Sequence, residues 1–179
     1  MKFEYAFDGI RLKVLDETYA LQVLKFYKDN LVDFDRYETD KPSNFYTPEY
    51  ICATLKAEYA ALLKGEFGRF FVLSDDIPGQ ILGTVSFSGV SSVSHSCRIG
   101  YKIDHKYRRI GLGTTATKHL IAILTREKEM HRIEAYIHPD NIPSIAIVNK
   151  LGFIPEGTAY SYARLNGKWE DHLRFVYIS

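Results

Sequence analysis

The feature that most constrains this chain is the segment Arg108-Arg109-Ile110-Gly111-Leu112-Gly113-Thr114. Two glycines one residue apart separate a strand-like run, Ser94 to Ile103, from an apolar stripe at helical spacing, Ala116, Leu120 and Leu124. Glycines at such a junction expose successive backbone N–H groups, and the helix begun there adds unpaired amides and a positive dipole end. Arg108 and Arg109 bring guanidinium donors, and Thr114 and Thr115 bring hydroxyls. The combination suits a diphosphate. An ordinary sharp turn beside solvated arginines is the alternative. If the glycines do admit a ligand, a bulky residue at 113 should weaken binding far more than it alters the fold.

The periodicity around this segment predicts the order strand, helix, helix, three strands, helix, strand, helix, two strands. Gly9 to Leu15 alternates as a half-buried strand does, and Asp16 can cap a helix whose buried face carries Tyr19, Val23, Phe26 and Tyr27, extended by Leu31. Asp33 to Pro48 reads as a charged loop over a surface or cleft. Thr47-Pro48-Glu49 starts a helix, with Tyr50, Ile51, Leu55, Tyr59 and Leu62 apolar, that runs to Gly65. Arg69 to Leu73, Gln80 to Phe87 and Ser94 to Ile103 follow as an antiparallel meander. After the glycine turn and its helix come a strand from Arg132 to Ile137 and a helix from near Pro143 to Gly152. Strands Phe153 to Leu165 and Glu170 to Ile178 then meet at the hairpin dipeptide Asn166-Gly167.

Two better-known phosphate loops fit poorly. No P-loop string occurs. Gly111-x-Gly113-x-x-Ala116 satisfies a relaxed dinucleotide fingerprint, with Glu134 about 20 residues on, yet it follows a meander in place of a first parallel strand. Glu134 also lies inside its strand and not at the carboxyl end.

Composition narrows the function. The 179 residues, 46% hydrophobic, suit one domain over 1–179 with a sizeable core. Lys plus Arg number 23 against 22 for Asp plus Glu, so no protein-wide field favours nucleic acid or an anionic membrane. Cys52 and Cys97 have neither the density of a disulfide scaffold nor metal-site spacing, and both read as reduced. No apolar run approaches the roughly 20 residues of a membrane span, and the first residues lack an apolar leader, so a soluble, cytoplasmic protein is expected. A homodimer is compatible with this composition.

Arg108-x-x-Gly111-x-Gly113 resembles the acetyl-coenzyme A pyrophosphate signature of the GCN5-related N-acetyltransferases (GNAT). Ile99-Gly100-Tyr101, Arg132-Ile133-Glu134-Ala135, Asn141-x-x-Ser144, Asn149-Lys150-Leu151-Gly152-Phe153 and Glu156-Gly157 resemble the branch of ribosomal-protein alanine and serine N-acetyltransferases, as does the hairpin around Asn166-Gly167-Lys168-Trp169. The likeness spans roughly residues 8 to 178, by motif in the second half and by layout in the first.

The resemblance implies a mixed α+β fold. Its central, mostly antiparallel sheet is flanked by helices and splayed between the fourth and fifth predicted strands, Ser94 to Ile103 and Arg132 to Ile137. Pantetheine would lie in that gap against the backbone of Tyr101, Lys102 and Ile103. The pyrophosphate would sit on Arg108, Arg109, Ile110, Gly111, Leu112, Gly113 and Thr114. Asn141 would help hold acetyl-CoA, and Ser144 would protonate the departing thiolate, unless the pair simply caps a helix. No metal is implied.

The implied reaction is attack of a neutral primary amine, on a small molecule or a protein N-terminus, at the acetyl carbonyl. Relatives often carry Glu where this chain has Arg98, so the base is left open. Glu134 is the nearest family-matched carboxylate, and a strand glutamate paired with Arg132 is the competing reading. Asp35, Tyr37 and Glu38 could also meet an amine. A non-catalytic acyl-CoA-binding or sensing domain is the alternative function.

Overall fold

The computed structural model describes residues 1–7 and 9–179. Strands β1 (Glu4–Phe7), β2 (Ile10–Lys13), β3 (Gly68–Ser74), β4 (Ile81–Ser91), β5 (Ser96–Ile103), β6 (Arg132–Ile137), β7 (Ile154–Leu165) and β8 (Lys168–Ile178) form one sheet in the order β1-β2-β3-β4-β5-β6-β8-β7. Every neighbouring pair is antiparallel except β5 and β6. The predicted order omitted β1, an edge strand of four residues too short to show a period.

The helices are α1 (Ala20–Asp29), α2 (Leu31–Asp35), α3 (Pro48–Lys64), α4 (Leu112–Glu127) and α5 (Ile142–Lys150). Asp16 caps as expected, accepting from the Thr18 amide at 2.9 Å, but the element it starts is a 3₁₀ turn, Glu17–Tyr19, that leads into α1. Val23, Phe26 and Tyr27 are buried. Leu31 is not: the buried Asn30 ends α1 and spends its side chain elsewhere. Its Nδ2 donates to the Phe26 carbonyl and to Asp104 Oδ2, while Oδ1 accepts from the His105 amide. The chain therefore restarts as α2, with Leu31 at its exposed first position. Helix α3 is bounded as predicted, Thr47 Oγ1 accepting from the Tyr50 amide and Gly65 closing it at φ +75°. Of its apolar positions, Ile51 and Leu55 are buried and Tyr59 is exposed.

Helices cover both faces. On one, Ala116, Leu120 and Leu124 of α4 pack in a cluster with Ile99, Ile103 and Ile133; each fully buried leucine contributes about 1.5–3 kcal/mol. On the other, Val23, Phe26, Ile51 and Leu55 of α1 and α3 pack with Phe71 and Ile81. Cys97 is buried in the first cluster, which pushes its thiol up to about 12, and both cysteines are free. Among the described residues no helix is long and apolar enough to cross a membrane.

Candidate active site

The parallel ladder between β5 and β6 has three rungs, Ser96 with Arg132, Cys97 with Ile133 and Arg98 with Glu134. Beyond Arg98 the strands part, while β5 stays paired to β4 as far as Ile103 opposite Gly83. The sheet is thus splayed between the two strands that the sequence indicated. The backbone of Tyr101, Lys102 and Ile103 borders the gap. Tyr101 also reaches across with its side chain, its hydroxyl donating to the Ser144 carbonyl in α5 at 2.9 Å. Burial holds that phenol above its ordinary value, so it stays protonated.

Below the gap, a 3₁₀ turn (His105–Tyr107) leads into the glycine segment. Arg109 and Gly111 adopt left-handed backbone, φ +65° and +85°. The first helical bond of α4 runs from the Thr115 amide to the Gly111 carbonyl, so the amides of Leu112, Gly113 and Thr114 precede it, and Gly111 has no side chain to cap them.

The two glycines differ. A Cβ on Gly111 would meet nothing within 4 Å, whereas one on Gly113 would lie 2.9 Å from Ile147 Cδ1 and 3.2 Å from Ile103 Cγ1. Gly113 therefore lets α4 approach α5 and β5 closely, and a bulky residue there disturbs packing directly. The residue expected to matter more for binding than for the fold thus also has a packing contact to keep. Arg108 is anchored beside the turn, Nε donating to the Ile103 carbonyl at 3.3 Å and Nη1 to Asp33 Oδ1 at 2.9 Å. Arg109 and Ile110 are exposed.

Asn141 caps α5, accepting from the Ser144 amide at 3.3 Å. The structural role offered for it in the sequence is therefore one that it performs. Glu134 uses both oxygens, Oε1 accepting from Arg132 Nε at 2.8 Å and Oε2 from the Tyr136 hydroxyl at 3.0 Å. The glutamate paired with Arg132 is the geometry observed. In the first loop, Asp35 pairs with Lys41 and Tyr46, and Glu38 pairs with Lys41 and Lys102.

On the face of β5 opposite α4, a recess of about 320 Å³ lies over Ile99 and Gly100. Tyr136, Tyr162 and His172 form its walls, and Tyr37 and Thr39 cover it. The Tyr136 and Tyr162 rings stack at 4.3 Å, and Arg98 Nη1 donates to the Tyr162 hydroxyl at 3.3 Å. The covering loop is fastened at both ends of the recess. The Tyr37 hydroxyl donates to the Asp140 carbonyl at 3.1 Å, the Asp40 amide to the Arg164 carbonyl at 3.0 Å, and the Gly167 amide to the Asp40 carboxylate at 3.2 Å. Of the three loop residues proposed to meet an amine, only Tyr37 borders this recess. His172 was missed. Strand alternation puts it on the same face as Arg174 and Val176, but nothing local marks that face as a wall.

The residues from 11 to 154 match the model of the acetyltransferase (GNAT) domain. The chain belongs to the GNAT family. As a member it is an acetyl-CoA-dependent N-acetyltransferase. It is 31% identical to the probable N-acetyltransferase YjcK of Bacillus subtilis (strain 168), over 91% of this chain and 90% of that one. The crystal structure of ribosomal-protein-S5-alanine acetyltransferase from Vibrio fischeri superposes with a TM-score of 0.91 at 26% identity, covering 99% and 97% of the two chains. Mycobacterium smegmatis RimJ, solved with CoA-disulfide, shares the fold with a TM-score of 0.89 at 21% identity, over 95% of this GNAT chain and 82% of that one.

Proposed function

We propose that this GNAT domain acetylates the amino terminus of a protein, with acetyl-CoA in the gap between β5 and β6 and the acceptor entering from the covered recess. The observation that carries this reading is the meeting of three features at one place: a ladder that stops at Arg98, an uncapped helix start at Gly111, and a walled recess over Gly100. The likeness to ribosomal-protein-S5-alanine acetyltransferase favours a protein acceptor, which would place the reaction in the cytoplasm.

In this reading the amides of Leu112, Gly113 and Thr114 receive the pyrophosphate, with Arg108 and Arg109 neutralising its charge. Arg108 would trade its exposed Asp33 partner for phosphate oxygens. The free edge of β5 at Tyr101, Lys102 and Ile103 offers strand-like hydrogen bonds to pantetheine, and an amide there would stabilise the oxyanion as it forms. Asn141 acts through α5, holding the helix start that carries Ser144 toward the gap. Ser144 Oγ would give a proton to the departing sulfur.

The test is thiol release from acetyl-CoA over a panel of Ala- and Ser-initiated peptides, polyamines, aminosugars and free amino acids, with intact-mass confirmation of product. The expected result is turnover of a peptide amino terminus. Turnover confined to small amines would reject the protein acceptor, and cofactor binding without thiol release for any amine would favour a sensing domain.

A further inference from the structure

We propose that His172 is the proton acceptor for the incoming amine, acting through Nε2 from the wall of the recess. The inference rests on the acetyl-transfer reading and supplies the base that the carboxylates leave unassigned.

The recess presents two imidazoles, and their hydrogen bonds distinguish them. His172 Nδ1 lies 3.3 Å from the Glu170 carbonyl oxygen. A carbonyl can only accept, so Nδ1 carries the hydrogen and the lone pair sits on Nε2. Among the described residues no hydrogen bond engages that Nε2. His138, at the end of β6, is in the opposite state. Its Nδ1 accepts from the Asp140 amide at 3.2 Å, so its own hydrogen is on Nε2, 3.9 Å from Glu170 Oε2. One ring has its basic nitrogen committed to the backbone, and the other, which lines the recess, has a basic nitrogen that no hydrogen bond engages among the described residues.

The surroundings keep His172 neutral. The residue is 5% exposed, and burial lowers the ring's affinity for a proton. His138, 5.8 Å away edge to face, acts in the same direction, while the Glu170 carbonyl and the Glu170 and Asp171 carboxylates act against it. From β7, Tyr162 packs on the ring at 5.1 Å, and from β5 Arg98 is held on the Tyr162 hydroxyl. Tyr136 from β6 and Tyr37 from the covering loop complete the wall. Glu134, the competing carboxylate, has both oxygens occupied.

The step balances without a further reactant. An amine that enters as ammonium gives one proton to His172 Nε2, and its freed lone pair forms the N–C bond to the acetyl carbon. The tetrahedral species collapses, the C–S bond breaks, and its electron pair leaves on sulfur. The thiolate takes a proton from Ser144 Oγ, the second proton lost from nitrogen restores that hydroxyl, and the imidazolium releases its proton to solvent.

Asparagine can keep the Nδ1 donor to the Glu170 carbonyl while removing the base, so His172→Asn is the informative variant, compared at matched folded fraction. With acetyl-CoA and an Ala-initiated hexapeptide, its kcat is expected to fall by about a hundredfold with the KM for acetyl-CoA unchanged. Hydroxylamine, unprotonated at neutral pH, should lose several-fold less. A merely structural histidine would depress both acceptors equally, and that result, or a hexapeptide rate within twofold of the parent, would overturn the proposal. An activity-independent reading comes from ring nitrogen chemical shifts of the intact protein at neutral pH. A bare Nε2 is expected, and a proton on Nε2 sinks the assignment whether or not any amine is turned over. A parent protein inactive on every amine but with a bare Nε2 would reject acetyl transfer itself and not the state of the ring.

Discussion

The Tyr101 hydroxyl and the Ser144 carbonyl oxygen, 2.9 Å apart, join the splayed strand to the helix that faces it across the gap. The contact fixes where α5 begins relative to β5, so the two sides of the gap are held by a side chain and not by a strand ladder. Removing the hydroxyl in Tyr101→Phe should cost about 0.5–1.5 kcal/mol of stability, the net worth of one such bond. The larger effect should be on acetyl-CoA, whose KM is expected to rise several-fold. Denaturant melts beside initial-rate kinetics check this; unchanged kinetics would mean that the gap does not depend on the tie.

Ser144→Ala separates chemistry from capping. The cap of α5 comes from Asn141, not from the serine hydroxyl, so stability should change by less than about 0.5 kcal/mol. If Ser144 Oγ protonates the sulfur, kcat at saturating substrates should fall at least about tenfold with cofactor affinity intact. Single-turnover rates within twofold of the parent would leave Ser144 without that role.

The two glycines of the turn should fail in different ways. Gly113→Val forces atoms into Ile147 and Ile103 and should cost about 1–3 kcal/mol, visible in a melting curve before any ligand is added. Gly111→Ala has free space and suffers only from its left-handed backbone, costing about 1–2 kcal/mol. Its cofactor affinity should drop beyond that, because relieving φ swings the uncapped amides of α4 away. Calorimetric titration with coenzyme A on both variants decides; equal affinities would remove the turn from pyrophosphate binding.

Asp33 and a diphosphate would compete for the same guanidinium. Arg108→Ala should therefore weaken coenzyme A binding more than binding of a pantetheine fragment that lacks the diphosphate. Asp33→Asn should tighten coenzyme A several-fold by releasing Arg108 Nη1. Equal losses for both ligands, or no gain from Asp33→Asn, would place the pyrophosphate elsewhere.

Stability should respond to pH through His172. Its folded-state pKa is lowered from the ordinary 6.5, chiefly by burial, so below 6.5 the unfolded chain binds the proton more readily than the native one. Its contribution is thus fully present above pH 6.5 and is lost as the pH falls toward the folded value. Melting temperatures measured from pH 7.5 to 5 should decline less steeply in His172→Asn than in the parent. Parallel slopes would show that the ring is not desolvated in solution.

Much of this fold is legible where a local rule acts alone. Thr47-Pro48 and Gly65 bound α3, Asn166-Gly167 sets the hairpin, and β6 spans Arg132–Ile137 as its alternation indicates. Legibility fails where distant groups decide. Leu31 fits the stripe of α1, but Asn30 is drawn to Asp104, 74 residues away, and breaks it. Within the site, the turn around Gly111 is local and could be read, whereas the purpose of Gly113 depends on Ile147, which no spacing reveals. His172 escaped for the same reason, since its tautomer depends on a carbonyl and its exposure on four other strands and a loop.

The strand order has a consequence for vectorial synthesis. Strand β8 follows the other seven in the chain, yet it does not add to the rim of the sheet but slots between β6 and β7. Until residues 168–178 leave the ribosome, β6 presents an open edge, β7 has no ladder partner, and the Asp40 loop has no Gly167 to grip. An unpaired apolar edge invites association with other nascent chains. The recess and its imidazole wall therefore come into being together, only once residues 168–178 have been made and have slotted between strands already in place.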